Sequence, residues 1–395
     1  MRVKDIVVLR NEKTTDTSRR YIGLENITSW DARFVETTSE TEGTNNIFYP
    51  NDILFGKLRP YLAKGYIPKY EGICSTEFFV MSCKSGVLPH YLLYVFLSHS
   101  VIDFIKNQVA GVKMPRTNWD EFGNLNIDLP SLSVQQKIVD YLDEKTSAID
   151  TKVELLEKKK DAYARLKKAM INRAVTRGLD EHVKLKDSGV EWIGMIPEHW
   201  EVKRFKDVFR KYSTGFTPES KNLDNFSDNE EFTWVTIADM TTRVVGISSL
   251  NLSEKAIKDN LPELTIKGSL MFSFKLTIGK TAFAEKDLYT NEAIVSIPPH
   301  RNVDLVYFYY TVPMICMNNA TENIYGAKIL NQKIIANMIF ALPPYEEQQA
   351  IAAYLDEKCA KIDAAIANID KQTDALKRLK RSLINEVISG KRMIE

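Results

Sequence analysis

Cys74, Cys83, His90 and His99 are of the types that ligate zinc, and Leu342-Pro343-Pro344-Tyr345 looks like a loop that grips an amine during methyl transfer. Neither reading survives a check of spacing and neighbours. The cysteines and histidines sit in apolar surroundings without the closely spaced Cys or His pairs that hold a tetrahedral ion, so no metal site is expected. The amine-gripping motif, Asn/Asp-Pro-Pro-Tyr/Phe, needs a side chain that accepts the amine hydrogens, and Leu342 has no acceptor. No glycine-rich strand-turn-helix for adenosylmethionine precedes it, and there is no Walker A lysine loop, Ser/His/Asp set or carboxylate pair. The expectation is a chain that makes and breaks no bonds itself.

The Leu-Pro pair has a different use, because it occurs twice at helix starts, at Leu129-Pro130 and Leu342-Pro343, 213 positions apart. Over residues 129–150 and 342–363 the two copies also share Gln135-Gln136 with Gln348-Gln349, and Tyr141-Leu142-Asp143-Glu144-Lys145 with Tyr354-Leu355-Asp356-Glu357-Lys358. Ile149-Asp150 matches Ile362-Asp363. Identity in twelve of these twenty-two positions exceeds what two unrelated amphipathic helices share, so the chain reads as a tandem duplication, domain-helix-domain-helix. Its 395 residues suit two domains plus spacers. With a formal net charge of +1 and 27% charged residues, any basic surface must be local. Four scattered cysteines fit a reducing compartment. No signal peptide opens the chain, and the longest uncharged apolar run, Leu305 to Asn318, is too short to span a bilayer; a soluble cytoplasmic protein is expected.

After Ser133, a candidate cap, apolar residues recur at Ile138, Leu142, Ile149, Val153, Leu156, Tyr163, Leu166 and Met170, mostly in steps of three and four. Ile351, Leu355, Ile362, Ile366, Ile369 and Leu376 repeat the pattern. No proline interrupts 134–177, which as one helix would be roughly 66 Å long. A rod with so narrow an apolar stripe needs a partner, and the other copy is the obvious one. Antiparallel pairing would give a pseudo-twofold, with Leu142, Ile149, Val153, Leu156, Leu355, Ile362, Ile366 and Ile369 in the seam. Lys160 and its counterpart Thr373 interrupt the stripe as register-setting polar positions do.

The segments before the helices correspond more faintly. Tyr21 to Ile27 matches Trp234 to Met240; Asp52-Ile53-Leu54-Phe55 echoes Ser269-Leu270-Met271-Phe272; Ser75-Thr76-Glu77 echoes Thr290-Asn291-Glu292; Gly111-Val112-Lys113 echoes Gly326-Ala327-Lys328. Each half reads as an α+β domain with short buried strands, a helix near 91–105 or 305–317, and a return strand into Leu-Pro.

Between the halves, Asp187 to Gly194 leads into Ile196-Pro197-Glu198-His199-Trp200. This string, the Leu-Pro-x-x-x-x-Gln-Gln helix starts and the tandem order resemble the DNA-specificity subunit of type I restriction-modification systems over nearly the whole chain. The resemblance implies an α+β fold of two similar target recognition domains, 1–128 and 179–341. They would be separated by a long antiparallel two-helix coiled coil made of helical spacers 129–178 and 342–395, in a pseudo-twofold tandem repeat. It also implies double-stranded DNA, two methyltransferase subunits and translocase/nuclease subunits as partners, with adenosylmethionine, ATP and Mg on those partners and no cofactor on this chain. One departure stands out: Val3-Lys4-Asp5-Ile6 aligns with Phe205-Lys206-Asp207-Val208, leaving no N-terminal counterpart of Trp192 to Trp200.

Readers of duplex sequence need donors and acceptors on loops, while cations fix the phosphates. In the first half Lys57, Arg59, Lys64, Lys113, Arg116 and Asn118 meet that description. In the second, Lys275, Lys280, Lys328, Asn331 and Gln332 occupy matching stretches, and Thr214 and Thr217 lie in a polar turn. The rival reading is a protein-protein scaffold that uses the helix pair as a docking rod.

Overall fold

The computed structural model describes residues 1–38, 41, 43–108 and 115–394, apart from the side chain of Glu230. Two units emerge, Met1–Lys159 with Asn368–Glu395, and Lys160–Ala367.

In the first unit, helices α1 (Val3–Ile6), α2 (Pro89–Phe96), α3 (His99–Gln108) and α4 (Trp119–Gly123) accompany a four-stranded antiparallel sheet, followed by the long α5 (Leu132–Arg177), of which residues 132–159 belong to this unit. The sheet order is Val7–Leu9, Phe78–Cys83, Ile53–Gly56, Gly65–Tyr66. Its central strands, Ile53–Gly56 and most of Phe78–Cys83, are buried on both faces because α2 to α4 cover one side, where Phe55, Phe96 and Phe122 pack, while Phe48, Leu54 and Val80 fill the other. Tyr21–Ile22 runs parallel to Gly72–Cys74 in a second small sheet.

The second unit repeats this plan with α6 (Phe205–Val208), α7 (Glu254–Asn260), α8 (Leu305–Asn319), α9 (Gln332–Asn337) and residues 345–367 of the long α10 (Tyr345–Ile388). Its sheet runs Ser213–Thr214, Ile294–Ile297, Leu270–Ser273, Thr281–Ala284, then an added parallel edge, Val244–Val245. Trp234–Val235 runs parallel to Tyr289–Thr290, as its counterpart does. The four-residue helices α1 and α6 are the aligned Val3-Lys4-Asp5-Ile6 and Phe205-Lys206-Asp207-Val208.

Three details differ from the sequence reading. The helix expected near 91–105 is two helices, α2 and α3, because the buried Ser98 hydroxyl donates to the Val95 carbonyl at 2.7 Å and offers the backbone an alternative to the helical ladder. Its counterpart α8 is continuous despite Pro313. Strand register pairs Ser75 with Asn291 rather than Thr290, since Ser75 N donates to Ile22 O just as Asn291 N donates to Val235 O. Finally, α5 begins at Leu132, one residue ahead of the expected Ser133 cap.

Within each unit the two long helices run antiparallel. In the first, Leu142 is fully buried against Leu383, Ile384 and Val387 with Ile149 beside them, while Val153 and Ile369 are buried and Leu156 half-buried. In the second, Leu355 is fully buried in a cluster with Ala174 and Val175, Ile362 is buried and Ile366 half-buried. Lys160 is half-buried and Thr373 buried. The segment leading into the second domain is tied to the first turn of α10. Trp200, fully buried in the second unit, donates its indole N–H to Glu347 Oε2 at 3.0 Å, and His199 meets the same oxygen at 2.8 Å. In the first copy Val134 stands where Glu347 would be and is exposed.

Candidate nucleic-acid interface

Several predicted cations and amides fasten the fold, and they do so in equivalent pairs. Lys64 Nζ donates to Leu24 O at 2.6 Å, and Lys280 Nζ donates to Ile237 O at 2.9 Å, where Ile237 lies 213 residues beyond Leu24. Burial lowers the Lys64 pKa, although Glu25 opposes this. Asn118 caps α4 by accepting from Glu121 N at 2.8 Å, and Asn331 caps α9 by accepting from Ile334 N at 2.9 Å. Lys57 is likewise turned inward. Its amine donates to Thr76 O at 2.7 Å and lies 5.2 Å from the Phe79 ring centre, and burial lowers its pKa against the pull of Glu77. Lys113 lies outside the described residues.

Arg59 and Arg116 gather around a hairpin in the first unit and Lys275 and Thr217 around one in the second, while Thr214, Gln332 and Lys328 lie on other segments. In the first, Arg59 is exposed at the tip and Arg116 reaches Glu77 at 2.9 Å. Arg59 N donates to Pro115 O at 2.8 Å, which ties the tip to the 115–117 segment. In the second, Lys275 faces Glu292 at 3.8 Å, and the same carboxylate accepts the Thr217 hydroxyl. Gln332 Nε2 donates to Thr214 Oγ1 at 3.0 Å, and Lys328 pairs with Glu322 at 2.9 Å within a small hairpin.

The two main hairpins open and close alike, although the first is one residue longer and carries a 3-10 turn at Pro60–Leu62. Gly56 N donates to Lys64 O, and Ser273 N donates to Lys280 O. Two left-handed residues follow in each: Arg59 (φ 50°) and Ala63 (φ 48°) in the first, Leu276 (φ 58°) and Gly279 (φ 80°) in the second. A Cβ on Gly279 would meet Pro313 Cα at 2.9 Å, so glycine is required where this hairpin rests on α8. The residue-type search missed Leu276, since leucine carries no donor. The spacing from Phe55 to Arg59, repeated from Phe272 to Leu276, was the available signal.

The domain-to-helix joints were also missed, and they too are duplicated. Gln135, fully buried, accepts from Leu88 N at 2.8 Å and donates to Gly86 O and Pro130 O; Gln348 accepts from Asp304 N at 3.0 Å and donates to Pro343 O. Leu88 and Asp304 are the residues preceding α2 and α8. Tyr94 Oη donates to Asp143 at 2.7 Å, and Tyr310 Oη donates to Asp356 at 2.6 Å. Burial is the first cause that raises both phenol pKa values, and the neighbouring carboxylate adds to it. In the second unit Arg243 adds a two-pronged contact to Asp356 at 2.7 and 3.1 Å. Each joint is thus the same pair of contacts written twice.

Among the described residues, no group of three or more His, Cys, Asp or Glu gathers as a metal site, and no helix is long and apolar enough to cross a membrane. Burial raises the thiol pKa values of Cys74, Cys83 and Cys316.

Fold and surface together define a duplicated α+β recognition protein whose domains are fastened to long, mutually paired helices. The chain belongs to the family described as the type I restriction modification DNA specificity domain, which matches residues 1–161 and 197–377. It is 24% identical to a putative type I restriction enzyme MjaX specificity subunit of Methanocaldococcus jannaschii, over 98% of this chain and 92% of that relative. It is 25% identical to the MjaVIII specificity subunit of the same organism, over 81% of this chain and 74% of that one. Among solved structures, a chain from work on assembly and conformational transition of the type I R-M system superposes with a TM-score of 0.74 at 19% identity, covering 98% and 96%. The HsdS subunit of Thermoanaerobacter tengcongensis gives 0.53 at 18%, covering 99% and 96%. These likenesses speak to the fold.

Proposed function

We propose that this chain is the sequence-reading subunit of a type I restriction-modification complex. Residues 1–128 and 179–341 each read one half of a bipartite duplex target, and residues 129–178 and 342–395 are the spacers that set the separation of the halves. The chain itself is non-catalytic. Two methyltransferase subunits dock on the helices and bring adenosylmethionine, while translocase/nuclease subunits bring ATP and Mg chemistry, all in the cytoplasm, where four free cysteines are at home.

The observation that carries this reading is the duplication of the joints. Gln135 with Gln348, and Asp143 with Asp356, hold the two domains to the helices through equivalent atoms. A protein that needed only one binding surface would have no reason to keep both joints, whereas two readers presented to two identical partners require them. Exposed apolar residues on the helices support two docking points: Leu166 and Leu379, equivalent by the 213-residue shift, are each 54% exposed.

Replacing residues 1–128 with a recognition domain from another specificity subunit tests the proposal. Mapping methylated adenines in a host that also carries the methyltransferase should show one half-site changed and the other kept. A change in both halves sinks the two-reader reading. Salt-insensitive or absent binding to random duplex DNA, with and without the methyltransferase, would favour a protein-protein scaffold.

A further inference from the structure

Leu276 is the most exposed large apolar side chain in the described structure, at 95% of its full surface, and it sits in the left-handed backbone region. Both features cost stability. A non-glycine residue is disfavoured there, and an apolar side chain in water gains nothing in return. The tip is nonetheless held rigidly. The buried Ser273 hydroxyl donates to Thr277 O and accepts from Lys280 N at 3.0 Å, Gly279 N donates to Ser273 O at 2.8 Å, and Gly279 rests on Pro313. A fixed, projecting leucine with no role in the core is suited to an apolar partner outside the chain.

The first unit supplies the independent observation. Arg59 occupies the same hairpin position, four residues after Phe55 as Leu276 is four after Phe272. It shares the left-handed conformation and is also exposed, with no partner for its guanidinium among the described residues. One backbone device thus presents two different side chains. Arginine is suited to the paired acceptors of a guanine edge in the major groove, and leucine to the methyl group of thymine. The flanking Lys275 and Arg116, paired with Glu292 and Glu77, are half-exposed cations of the kind that contact phosphates.

Building on the two-reader function, we infer that the tips of these hairpins enter the groove, and that Arg59 and Leu276 are specificity-determining residues, one for each half-site. Arg59 reads guanine and Leu276 reads thymine. The same position would then carry different side chains because the two halves of the target differ.

The test uses the full chain with its methyltransferase and maps methylated adenines across the host genome for wild type, Arg59→Leu, Leu276→Ala and Leu276→Gly. Glycine relieves the left-handed strain, so Leu276→Gly should keep or raise Tm, and any change in methylation is then free of a folding defect. Discrimination at one thymine-containing position of the second half-site should fall roughly tenfold or more in both Leu276 variants. Arg59→Leu should relax one guanine-containing position of the first half-site only. Unchanged target sequences in folded variants overturn the inference while leaving the two-reader function intact, as does a uniform drop in methylation with specificity kept. If wild type itself methylates no defined bipartite sequence, the parent proposal fails instead.

Discussion

Lys380 Nζ lies 2.7 Å from Asp150 Oδ2, and the equivalent residues 213 positions away make the reciprocal contact, Lys167 Nζ to Asp363 at 2.7 Å. The two ion pairs differ in setting. Lys380 is 7% exposed and also reaches Asp31 at 2.5 Å, whereas Lys167 is 30% exposed with a half-exposed partner. Lys380→Met therefore strands two carboxylates around a buried methionine and should cost on the order of 3–5 kcal/mol, while Lys167→Met should cost about 1 kcal/mol or less. Denaturant midpoints of the two variants decide this, and equal losses would refute the assigned difference. Burial opposes ionisation of Asp31, but Lys380 and then Arg33 outweigh it, so its pKa falls below the usual carboxylate range. The stability from this group is fully present above the ordinary Asp value of about 4 and is lost as pH falls through the lower folded value. Acidification from about pH 6 to about pH 3 should thus narrow the gap between wild type and Lys380→Met.

Gln135 and Gln136 are adjacent, identical in type to Gln348-Gln349, and opposite in role. Gln135 bonds three backbone groups in the interior, whereas Gln136 makes one surface contact, to Asp140 at 2.7 Å. Gln135→Leu leaves an amide N–H and two carbonyls without their partner and should destabilise the first unit by roughly 2–4 kcal/mol, with faster hydrogen exchange at Leu88. Gln136→Ala should leave the unfolding midpoint within about 0.5 kcal/mol. Matched effects would mean the pair is retained in both copies for one shared reason.

The seam of the helices was legible because burial imposes a three-to-four-residue period on side-chain type, and Leu142, Leu355 and Ile369 are all buried. The loop surface was less so. Lysine reads the same in sequence whether its amine stays on the surface beside a carboxylate, as with Lys275, or bonds a carbonyl of its own domain, as with Lys64 and Lys280. Asn118 and Asn331 show the same ambiguity, since the short polar group suited to a base edge also suits a helix cap. What separates these cases is the backbone path of another segment, which local residue type does not encode. The repeat offers partial help: an equivalent lysine or asparagine in both halves marks a fastening shared by the domains, while Arg59 opposite Leu276 marks a position where they differ.

Arg243 is a joint found in one copy only. It grips Asp356 with two nitrogens and lies 5.0 Å from the Tyr309 ring centre, while Asp143, the counterpart of Asp356, has Tyr94 as its partner. Arg243→Ala removes one of two supports from Asp356 and should speed limited proteolysis within 241–250, with a loss of about 1–3 kcal/mol. Tyr310→Phe removes the other. The double variant should lose more or less than the sum of the singles, because both donors share Asp356; strict additivity would argue against a coupled joint.

Thr373 carries a fault in the helix seam that can be repaired. Its side chain is buried and its Oγ1 has no hydrogen-bond partner among the described residues. A desolvated hydroxyl without a partner is penalised by roughly 1–3 kcal/mol, whereas valine has the same shape with a methyl in its place. Thr373→Val should therefore raise the unfolding midpoint, by an amount on the order of 1 kcal/mol. If the threonine also sets the pairing register, as a polar residue on an apolar stripe can, the same variant gains stability and loses uniqueness. A cysteine pair at two facing seam positions separates the two roles: the native crosslink should form in wild type, and additional crosslinked species should appear in Thr373→Val. A variant that is less stable than wild type would show that the hydroxyl contributes to packing.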